Sequence, residues 1–383
     1  MPLTAVLGLQ WGDEGKGKIA DYLAKNADIV ARFAGGGNAG HTVFRGDKVF
    51  RLHHLPVGIL HEHVTAVLGN GMVIHPETLW KEMEELAGQG IRVSPDRVKI
   101  SDRAHVVTED HMEEDARRES RRKPLGTTKR GIGPAYAHKA YRDGLRTGDY
   151  VESSDGPIAN FLRPYVTDTV SWLNGWLADG KRVIAEGAQG MLLDIDHGTY
   201  PYVSSSNCTI GGVFVGLGVP PQYLTRTIGV VKAFQTRIGT GPFPSEVKGE
   251  ILEKLRGDGS KPTDEFGATT GRPRRCGWLD IPRLKTAIQI NGIEELALTK
   301  LDALTGLSEV QIYMGDTIPR TSGDEIGGRL HSLMGWQEDI SQCKFYDELP
   351  EQAVRFVETL QLVTRTPIRH ISVGPRAEQT IVK

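Results

Sequence analysis

The sequence predicts an α/β fold, with a large, mostly parallel central sheet flanked by helices and with smaller subdomain excursions. Residues 4–9 (TAVLGL) form a short apolar segment that leads into a glycine-rich loop and then into helical spacing. Residues 181–190 (KRVIAEGAQG) and 294–304 (EELALTKLDAL) repeat the pattern of an apolar strand that ends in a polar loop. Such strands, separated by helices, indicate a parallel sheet whose site lies at the carboxyl ends of the strands.

The elements between these strands follow from local patterns of apolar residues and turn residues. They are a helix at 18–27, a strand at 28–33, a hairpin at 43–52 that turns at Arg45-Gly46-Asp47, a strand and turn at 64–74, and a helix at 76–90. The charge-dense residues 111–123 are expected to form a solvated helix face. We expect a single domain over residues 1–383, with peripheral excursions near 101–180 and 248–264.

Composition excludes several classes of protein. The 383 residues include 46 Lys+Arg and 48 Asp+Glu, so the net charge of -2 gives no general reason to expect a nucleic-acid or membrane partner. The three cysteines, Cys208, Cys276 and Cys343, are scattered, which fits a reducing compartment. The first residues lack the pattern of a signal peptide, and no segment approaches the roughly 20 apolar residues of a membrane span. We therefore expect a cytoplasmic protein.

The first motif is GDEGKGKI, at residues 12–19, which nearly matches the phosphate-binding pattern G-x-x-x-x-G-K-[ST]. Ile19 replaces the hydroxyl residue that normally holds magnesium, and the loop adds the carboxylates of Asp13 and Glu14. Backbone N–H groups here, with Lys16 and Lys18, suit phosphate oxygens. Asp13 could coordinate Mg²⁺ or act as a base on a second substrate. The alternative is a helix N-terminus whose acids only complement the helix dipole.

Two further glycine loops carry polar groups. In GGGNAGHT, at residues 35–42, the glycines allow close backbone approach to a ligand. Asn38 suits the edge of a base or carbonyl, and His41 can stabilise a developing charge or supply a proton. GTTKRGIGP, at residues 126–134, combines hydroxyls, cations and glycines that suit a monophosphate. Its alternative is an ordinary structured loop.

The fourth motif is EGAQG, at residues 186–190, followed by DIDHGTYPYVSSS at 194–206. Gln189 and Ser204 are candidate hydrogen-bonding groups. Asp194, Asp196 and His197 have the composition of a metal cluster, but we favour a role in capping backbone groups.

The last two motifs suit a dicarboxylate and a purine base. GATTGRPRR, at residues 267–275, offers arginines for a bidentate grip on a carboxylate, with threonine hydroxyls beside them. The competing interpretation is a basic surface patch. Thr299-Lys300-Leu301-Asp302 resembles the element of guanine-specific nucleotide binders, in which a carboxylate accepts hydrogen bonds from the N1–H and 2-amino groups of guanine. The alkyl part of Lys300 can lie on the purine face.

In this order the six motifs resemble those of the adenylosuccinate synthetase family. The match runs from GLQWGDEGKGK to SVGP, at residues 372–375, and covers nearly the whole chain. The resemblance implies GTP-binding, P-loop-like architecture and the ligation of L-aspartate to IMP with cleavage of GTP, the first committed step of AMP synthesis. It also implies that Asp13 removes the N1 proton of IMP, so that the 6-oxygen attacks the γ-phosphorus. His41 then stabilises the transferring group, and the aspartate amine displaces phosphate.

The resemblance also implies the ligand contacts, position by position. Catalytic residues are Asp13, Lys16, His41 and Gln189, and Mg²⁺ is held by Asp13 and Gly40. GTP contacts are Gly12, Asp13, Glu14, Gly15, Lys16, Gly17, Lys18, Gly40, His41, Thr42, Arg274, Lys300, Leu301, Asp302, Ser372, Val373 and Gly374. IMP contacts are Asp13, Lys16, Asn38, Ala39, Gly40, His41, Thr128, Arg142, Gln189, Ser204 and Arg272, with Arg142 supplied by the partner subunit of a homodimer. Aspartate contacts are Ala268, Thr269, Thr270, Gly271, Arg272, Pro273 and Arg274.

The sequence departs from the family pattern in places. Ser204 stands where many members have Thr, and Pro273 interrupts the arginine run, which is expected to stiffen the aspartate loop. The chain is also shorter than many bacterial members, within residues 150–182 and around 305–345. Two alternatives to the ligase are a phage-type enzyme that uses dGMP and a guanine-nucleotide switch without ligase activity. The resemblance argues against the phage-type enzyme, because that branch lacks an acid at the position of Asp13. A nucleotide switch would leave Gln189 and the aspartate loop without a role.

Overall fold

The computed structural model describes residues 2–120, 124–267, 271–315 and 328–383. The strands of this part of the chain are β1 (Leu3–Gly8), β2 (Ile29–Arg32), β3 (His41–Arg45), β4 (Lys48–Leu52), β5 (Thr65–Leu68), β6 (Val73–Ile74), β7 (Val98–Ser101), β8 (His105–Val106), β9 (Val166–Thr167), β10 (Val183–Glu186), β11 (Leu224–Lys232), β12 (Phe234–Arg237), β13 (Arg275–Asp280), β14 (Glu295–Thr299), β15 (Glu309–Gly315), β16 (Gly328–Met334), β17 (Ile368–Ser372) and β18 (Thr380–Val382).

The helices surround these strands. They are α1 (Lys16–Ala24), α2 (Pro76–Gly88), α3 (Glu109–Glu119), α4 (Ile132–Tyr141), α5 (Thr147–Ser153), α6 (Pro157–Leu162), α7 (Thr169–Ala178), α8 (Ile210–Leu217), α9 (Gly249–Arg256), α10 (Ile281–Asn291) and α11 (Glu351–Thr364). Short 3-10 helices lie at Val57–Leu60, Arg163–Tyr165, Met191–Leu193, Pro221–Tyr223, Leu301–Leu304 and Tyr346–Glu348. None of the described helices is long and apolar enough to cross a membrane.

Within the described ranges the central sheet has ten strands, in the order β18-β17-β14-β11-β1-β10-β2-β5-β7-β9. Every neighbouring pair is parallel except β17 and β18. A second sheet of four strands, β12-β13-β15-β16, mixes parallel and antiparallel pairs. The predicted α/β class and the mostly parallel sheet are confirmed.

Both faces of the central sheet are buried, as a parallel sheet requires. Along β1, Leu3, Ala5 and Leu7 join one large apolar core, whereas Val6 joins a separate cluster with Ile184 on the other face. The continuous apolar run that predicted this strand is therefore explained by side chains that alternate between two cores.

Most of the predicted elements are present, with boundaries that move by a few residues. The hairpin at 43–52 is β3 paired with β4, and its strands begin at His41 and Lys48. Helix α1 begins at Lys16 instead of at residue 18, because Gly15 adopts a left-handed conformation (φ 87°) and starts the helix directly after the loop. The polar residues 248–264 contain helix α9. The last three residues of the predicted 111–123 segment lie outside the described ranges.

This topology fixes the position of the site. The first glycine loop follows β1, the second follows β2, and the EGAQG segment begins at the end of β10. These three strands are neighbours in the sheet. Lys300 directly follows β14, and Ser372 ends β17, its neighbour. Because the strands are parallel, all five carboxyl ends lie at one edge of the sheet, as predicted.

Candidate active site

A cavity of about 1470 Å³ lies at this edge of the sheet and brings together residues from all six motifs. The predicted site residues in its walls are Gly12, Asp13, Gly15, Lys16, Gly17, Lys18, Asn38, Ala39, Gly40, His41, Thr42, Thr128, Gln189, Ser204, Arg272, Arg274, Lys300, Asp302, Ser372 and Gly374. Predicted residues that are described but are not in its walls are Glu14, Arg142, Gly271, Pro273, Leu301 and Val373. Ala268, Thr269 and Thr270 lie outside the described residues.

The phosphate loop is shaped by an inward-facing carboxylate. Glu14 is fully buried, and its Oε1 accepts hydrogen bonds from the backbone N–H groups of Gln10 (2.9 Å) and Gly12 (3.0 Å). Its Oε2 pairs with Lys16 Nζ at 2.5 Å. The Glu14 side chain therefore stabilises the loop from behind, and only its backbone is placed to meet a phosphate.

Asp13 points the other way, toward the cavity. It adopts a left-handed backbone conformation (φ 59°), between Gly12 and Gly15, which have φ of 81° and 87°. Its side chain is 31% exposed, and its Oδ2 lies 3.1 Å from Arg274 Nε. The side chains of Asp13 and Glu14 therefore point in opposite directions. Asp13 faces solvent in the cavity, and Glu14 stabilises the loop from the protein interior.

His41 is held by a buried glutamate. Its Nδ1 hydrogen-bonds Glu186 Oε1, while Glu186 Oε2 accepts from the backbone N–H of Val57 at 2.8 Å. Burial lowers the pKa of His41, and the adjacent Glu186 carboxylate opposes that shift. A carboxylate on Nδ1 leaves Nε2 as the ring nitrogen available to a ligand. Nε2 can donate only when the ring is protonated, the form that Glu186 favours and burial opposes.

The second glycine loop lies tightly against its neighbours. A Cβ on Gly36 would come 2.3 Å from the carbonyl oxygen of Val73, so only glycine fits there. The backbone N–H of the same Gly36 donates to Asn38 Oδ1 at 3.2 Å, and that of Gly35 donates to the hydroxyl of Tyr136 at 3.0 Å. These bonds fix the path of the loop on the cavity wall.

The third loop is joined to the 267–275 segment. Asp115, which is buried, accepts from the Thr127 hydroxyl (2.8 Å) and from the backbone N–H of Gly131 (3.0 Å). Arg272 Nη2 donates to the carbonyl oxygens of Gly126 (3.0 Å) and Thr127 (3.3 Å). The 126–134 segment and the end of the 267–275 segment therefore form one continuous wall, which argues against a separate basic surface patch.

The 194–206 segment has a structural role in this state. Both Asp194 oxygens accept backbone N–H groups, of Asp196 and His197 on one side and of Cys208 and Thr209 on the other. The capping interpretation is therefore confirmed for Asp194. In the described ranges no group of three or more His, Cys, Asp or Glu side chains could hold a metal ion.

Ser206 lies between the two predicted hydrogen-bonding groups, Gln189 and Ser204. Ser206 Oγ is 3.5 Å from Gln189 Oε1 and 3.3 Å from Ser204 Oγ. Gln189 has φ of 55°, a conformation that is uncommon outside glycine. It directs a polar side chain into the cavity at the end of β10.

Lys18 connects the phosphate loop to the segment after β17. Its Nζ donates to the carbonyl oxygens of Gly374 (2.7 Å) and Gln379 (2.9 Å). Burial lowers the pKa of Lys18 to about 7, although Asp302 acts in the opposite direction. Burial raises the pKa of Asp302. The guanine element and the phosphate loop are therefore in electrostatic contact.

Glu265 is the most heavily paired carboxylate in the site. Its Oε1 pairs with Lys232 Nζ (3.1 Å) and Lys300 Nζ (2.5 Å), and its Oε2 pairs with Arg274 Nη1. Burial opposes its ionisation, but these three cations hold the pKa of Glu265 well below its usual range. Burial lowers the pKa of Arg274, and the carboxylates of Asp13 and Glu265 raise it further than burial lowers it.

Three carboxylates of the site were not predicted from the sequence as functional: Glu186, Glu265 and Asp115. Glu186 begins the EGAQG motif at a strand end, so its position carried a signal. Glu265 and Asp115 are found only through their contacts in the folded chain. Arg142 ends helix α4 in a left-handed conformation (φ 70°) and is exposed.

Comparison with known proteins agrees with the site. The sequence profile of the adenylosuccinate synthetase family matches residues 5–157 and 153–381. The adenylosuccinate synthetase of Caldanaerobacter subterraneus subsp. tengcongensis is 42% identical over 428 aligned residues, which cover 100% of this chain and 99% of the relative. That of Paramecium tetraurelia is 43% identical over 424, which cover 100% and 97%. Both alignments exceed the 383 residues of this chain, so these relatives are longer.

Solved structures give the same result. The fully ligated adenylosuccinate synthetase from Plasmodium falciparum matches with a TM-score of 0.92 and 40% identity, over 100% of both chains. The succinoaminodeoxyadenylate synthetase of cyanophage S-2L, solved with dGMP and dATP, matches with a TM-score of 0.71 and 22% identity, over 100% of this chain and 95% of that one. The second match shows a shared fold alone. The chain belongs to the adenylosuccinate synthetase family and is a GTP-dependent carbon–nitrogen ligase of IMP and L-aspartate in purine biosynthesis.

Proposed function

We propose that the cavity carries out this ligation with Asp13 as the base. The observation on which this depends is that the exposed carboxylate of Asp13, His41 and the glycine-rich phosphate loop all line one cavity. Asp13 takes the N1 proton of IMP, and the 6-oxygen attacks the γ-phosphorus of GTP, from which GDP leaves. The aspartate amine then attacks C6, the C6–O bond breaks, and phosphate leaves. The nucleophile is made beside the phosphate that it attacks, so positioning provides much of the rate.

The remaining site residues bind and orient the three substrates. Lys16 and the loop N–H groups suit the GTP phosphates, and Asp302 suits guanine. Gln189 and Thr128 suit IMP, while Arg272 and Arg274 suit the dicarboxylate of aspartate. The other contacts are those expected from the family resemblance, including those of the 268–270 segment.

A magnesium ion fits the residues that are present. Asp13 offers a carboxylate and Gly40 a backbone carbonyl on the cavity wall, and Mg²⁺ prefers such oxygen ligands together with substrate phosphates and water. When bound, Mg²⁺ would supply charge neutralisation for the GTP phosphates.

A homodimer completes the IMP site in this proposal, with Arg142 contributed by the partner subunit. Two apolar side chains support it, because Tyr141 is 72% exposed beside Arg142 and Val215 is 77% exposed. Asn70 links the segments that carry these two side chains. Its Nδ2 donates to the carbonyl oxygen of Val215 at 2.8 Å, and its carbonyl oxygen accepts from Lys139 Nζ at 3.4 Å. Exposed apolar side chains mark a protein interface when they lie in one patch, so the support comes from the proximity of these two.

We also propose a cytoplasmic location and one domain with peripheral excursions at 101–180 and 248–264.

Ultraviolet difference absorbance tests the reaction directly. Purified protein is mixed with GTP, Mg²⁺, L-aspartate and either IMP or dGMP. A change in absorbance that requires both IMP and aspartate is expected. A change in absorbance seen only with dGMP would show that dGMP, and not IMP, is the acceptor. Phosphate release that does not depend on IMP would favour a nucleotide switch.

A further inference from the structure

We propose that Glu265 is a positioning residue that couples the guanine-binding element to the aspartate-binding loop and, through Arg274, to Asp13. The inference rests on the proposed function of this cavity and adds a residue that the sequence motifs do not include. Its basis is a continuous series of ion pairs between segments that bind different substrates.

The first observation is the closure of the aspartate loop at its base. The backbone N–H of Arg274 donates to the carbonyl oxygen of Glu265 at 2.9 Å, and Phe266 and Pro273 form an isolated bridge next to them. Glu265 and Arg274 are therefore paired through the backbone and again through their side chains. These two contacts hold Glu265 and Arg274 together, so a shift of the Glu265 carboxylate would also move Arg274.

The second observation is that the same carboxylate holds the guanine element. Glu265 Oε1 lies 2.5 Å from Lys300 Nζ, and Lys300 also donates to the carbonyl oxygen of Thr263 at 2.7 Å. The side chain of Lys300 is 30% exposed, so its stem remains accessible to a purine face. Glu265 thereby determines where this stem lies before a nucleotide arrives.

The third observation is the extension of the series to the reacting centre. Arg274, bound by Glu265, places its Nε 3.1 Å from Asp13 Oδ2. The ion pairs run from Lys300 through Glu265 and Arg274 to Asp13. The binding of guanine and the alignment of Asp13, the general base, with IMP therefore both depend on the Glu265 carboxylate.

Burial makes this carboxylate difficult to replace. Glu265 is 1% exposed, and Lys232, which pairs with the same Glu265 oxygen as Lys300, is fully buried. Loss of the negative charge would remove the carboxylate that pairs with Lys232 and Lys300, and it would leave Arg274 with its pair to Asp13. A buried cation without its partner is costly, so a simple substitution would also reduce stability. The test has to separate this loss from the loss of positioning.

The test uses Glu265→Gln alone and combined with Lys232→Met, which removes the uncompensated buried charge. We expect the single variant to lower the melting temperature and to raise KM for GTP and for aspartate together, each by at least about tenfold, since charged hydrogen bonds are lost in both sites. kcat should also fall, because Asp13 loses its alignment through Arg274, whereas KM for IMP should stay within about twofold. The double variant should recover the melting temperature while both raised KM values persist.

Glu246→Gln is the matched control. Glu246 forms an ion pair with Arg275, the residue after Arg274, but this pair is about one-third exposed and lies outside the series. We expect its KM values to equal those of the wild type. Calorimetric affinity for GDP, measured on the same variants, reports the guanine half of the coupling without turnover, and we expect it to fall at least about tenfold in both Glu265 variants.

The outcomes separate the two proposals. Unchanged KM values in the single variant, or recovery of KM together with melting temperature in the double variant, would overturn the positioning role. A wild-type protein without ligase turnover would overturn the proposed function instead. In that case GDP affinity still tests the link between Glu265 and Lys300. An equal fall in the single and double variants would support the link, and unchanged GDP affinity would overturn it.

Discussion

His41 and Glu186, which are 145 positions apart in the sequence, form a buried hydrogen bond between His41 Nδ1 and Glu186 Oε1 at the edge of the central sheet. The second oxygen of Glu186 is fixed by the backbone N–H of Val57 at 2.8 Å. The imidazole is therefore oriented by a carboxylate that is itself oriented by the backbone. The Glu186 carboxylate favours the protonated ring, whereas burial, the larger effect, lowers the pKa of His41. In the proposed reaction a protonated ring would donate from Nε2 to the transferring phosphoryl group.

Glu186→Gln should reduce kcat by roughly ten- to a hundredfold, the effect typical of a lost orienting partner. Burial lowers the pKa of His41 and Glu186 opposes that shift, so the pKa should fall further in the variant. The protonated ring is then lost at lower pH, and the alkaline limb of the kcat profile should move to lower pH. A reduced kcat with an unmoved pH profile would mean that Glu186 acts only through packing.

Asp13→Ala should abolish turnover while leaving the fold intact. A positioned general base contributes roughly a hundred- to ten-thousandfold, and the side chain is 31% exposed, so its removal leaves no large cavity in the core. Steady-state phosphate release and circular dichroism on the same sample check both statements. Near-normal turnover would show that another group removes the N1 proton of IMP.

Subunit mixing tests the homodimer and the role of Arg142 together. Asp13→Ala and Arg142→Leu should each be inactive alone. In a mixed dimer, the site that keeps Asp13 also receives an intact Arg142 from the partner subunit, so an equal mixture should regain about a quarter of wild-type activity. No recovery after exchange of subunits has been confirmed would place Arg142 in the site of its own chain or outside any site.

The sequence predicts the parts of the site that depend on local patterns. The glycine loops, the strand ends and the cavity-facing Asp13 follow from strand–loop–helix motifs, because a parallel sheet brings its carboxyl ends to one edge. The opposite direction of Glu14 could not be predicted, since it depends on the left-handed conformations of Gly12 and Asp13 and on backbone partners inside the loop.

Contacts between distant segments account for the rest. The Glu265 carboxylate meets Lys232 from β11 and Lys300 from the end of β14, and no spacing in the sequence indicates that these cations converge. Asp115 lies in a segment that reads as a solvated helix face, yet it is buried against Thr127. In each case a charged residue is buried because it contacts a partner on another element, and composition alone cannot predict that contact.

Asp302→Asn should relax the preference for guanine. An ionised carboxylate accepts hydrogen bonds from N1–H and the 2-amino group, whereas an amide can donate to the 2-oxygen of xanthine. Loss of charged hydrogen bonds costs about 3 kcal/mol, so the ratio of kcat/KM for GTP over xanthosine triphosphate should fall roughly a hundredfold. Undiminished selectivity in the variant would remove Asp302 from base recognition.

His370 should make the fold sensitive to acid. It is 3% exposed on β17, its Nδ1 lies 3.9 Å from Glu295 Oε1, and burial, with a smaller effect of Arg226, lowers its pKa to about 4. The unfolded chain binds this proton near pH 6.5, and the folded chain binds it only near pH 4. The stability contribution is therefore complete above pH 6.5 and is lost as the pH falls to 4, by about 3 kcal/mol in total.

Urea unfolding between pH 7 and pH 4 measures this loss for the wild type, for His370→Gln and for the control His331→Gln, whose histidine is exposed on β16. The His370 variant should lose less free energy of unfolding over this range than the other two proteins, because its glutamine binds no proton in either state. Equal slopes for all three would show that His370 takes up its proton at the same pH in the folded and unfolded chains, and the acid sensitivity would then have to come from other buried groups.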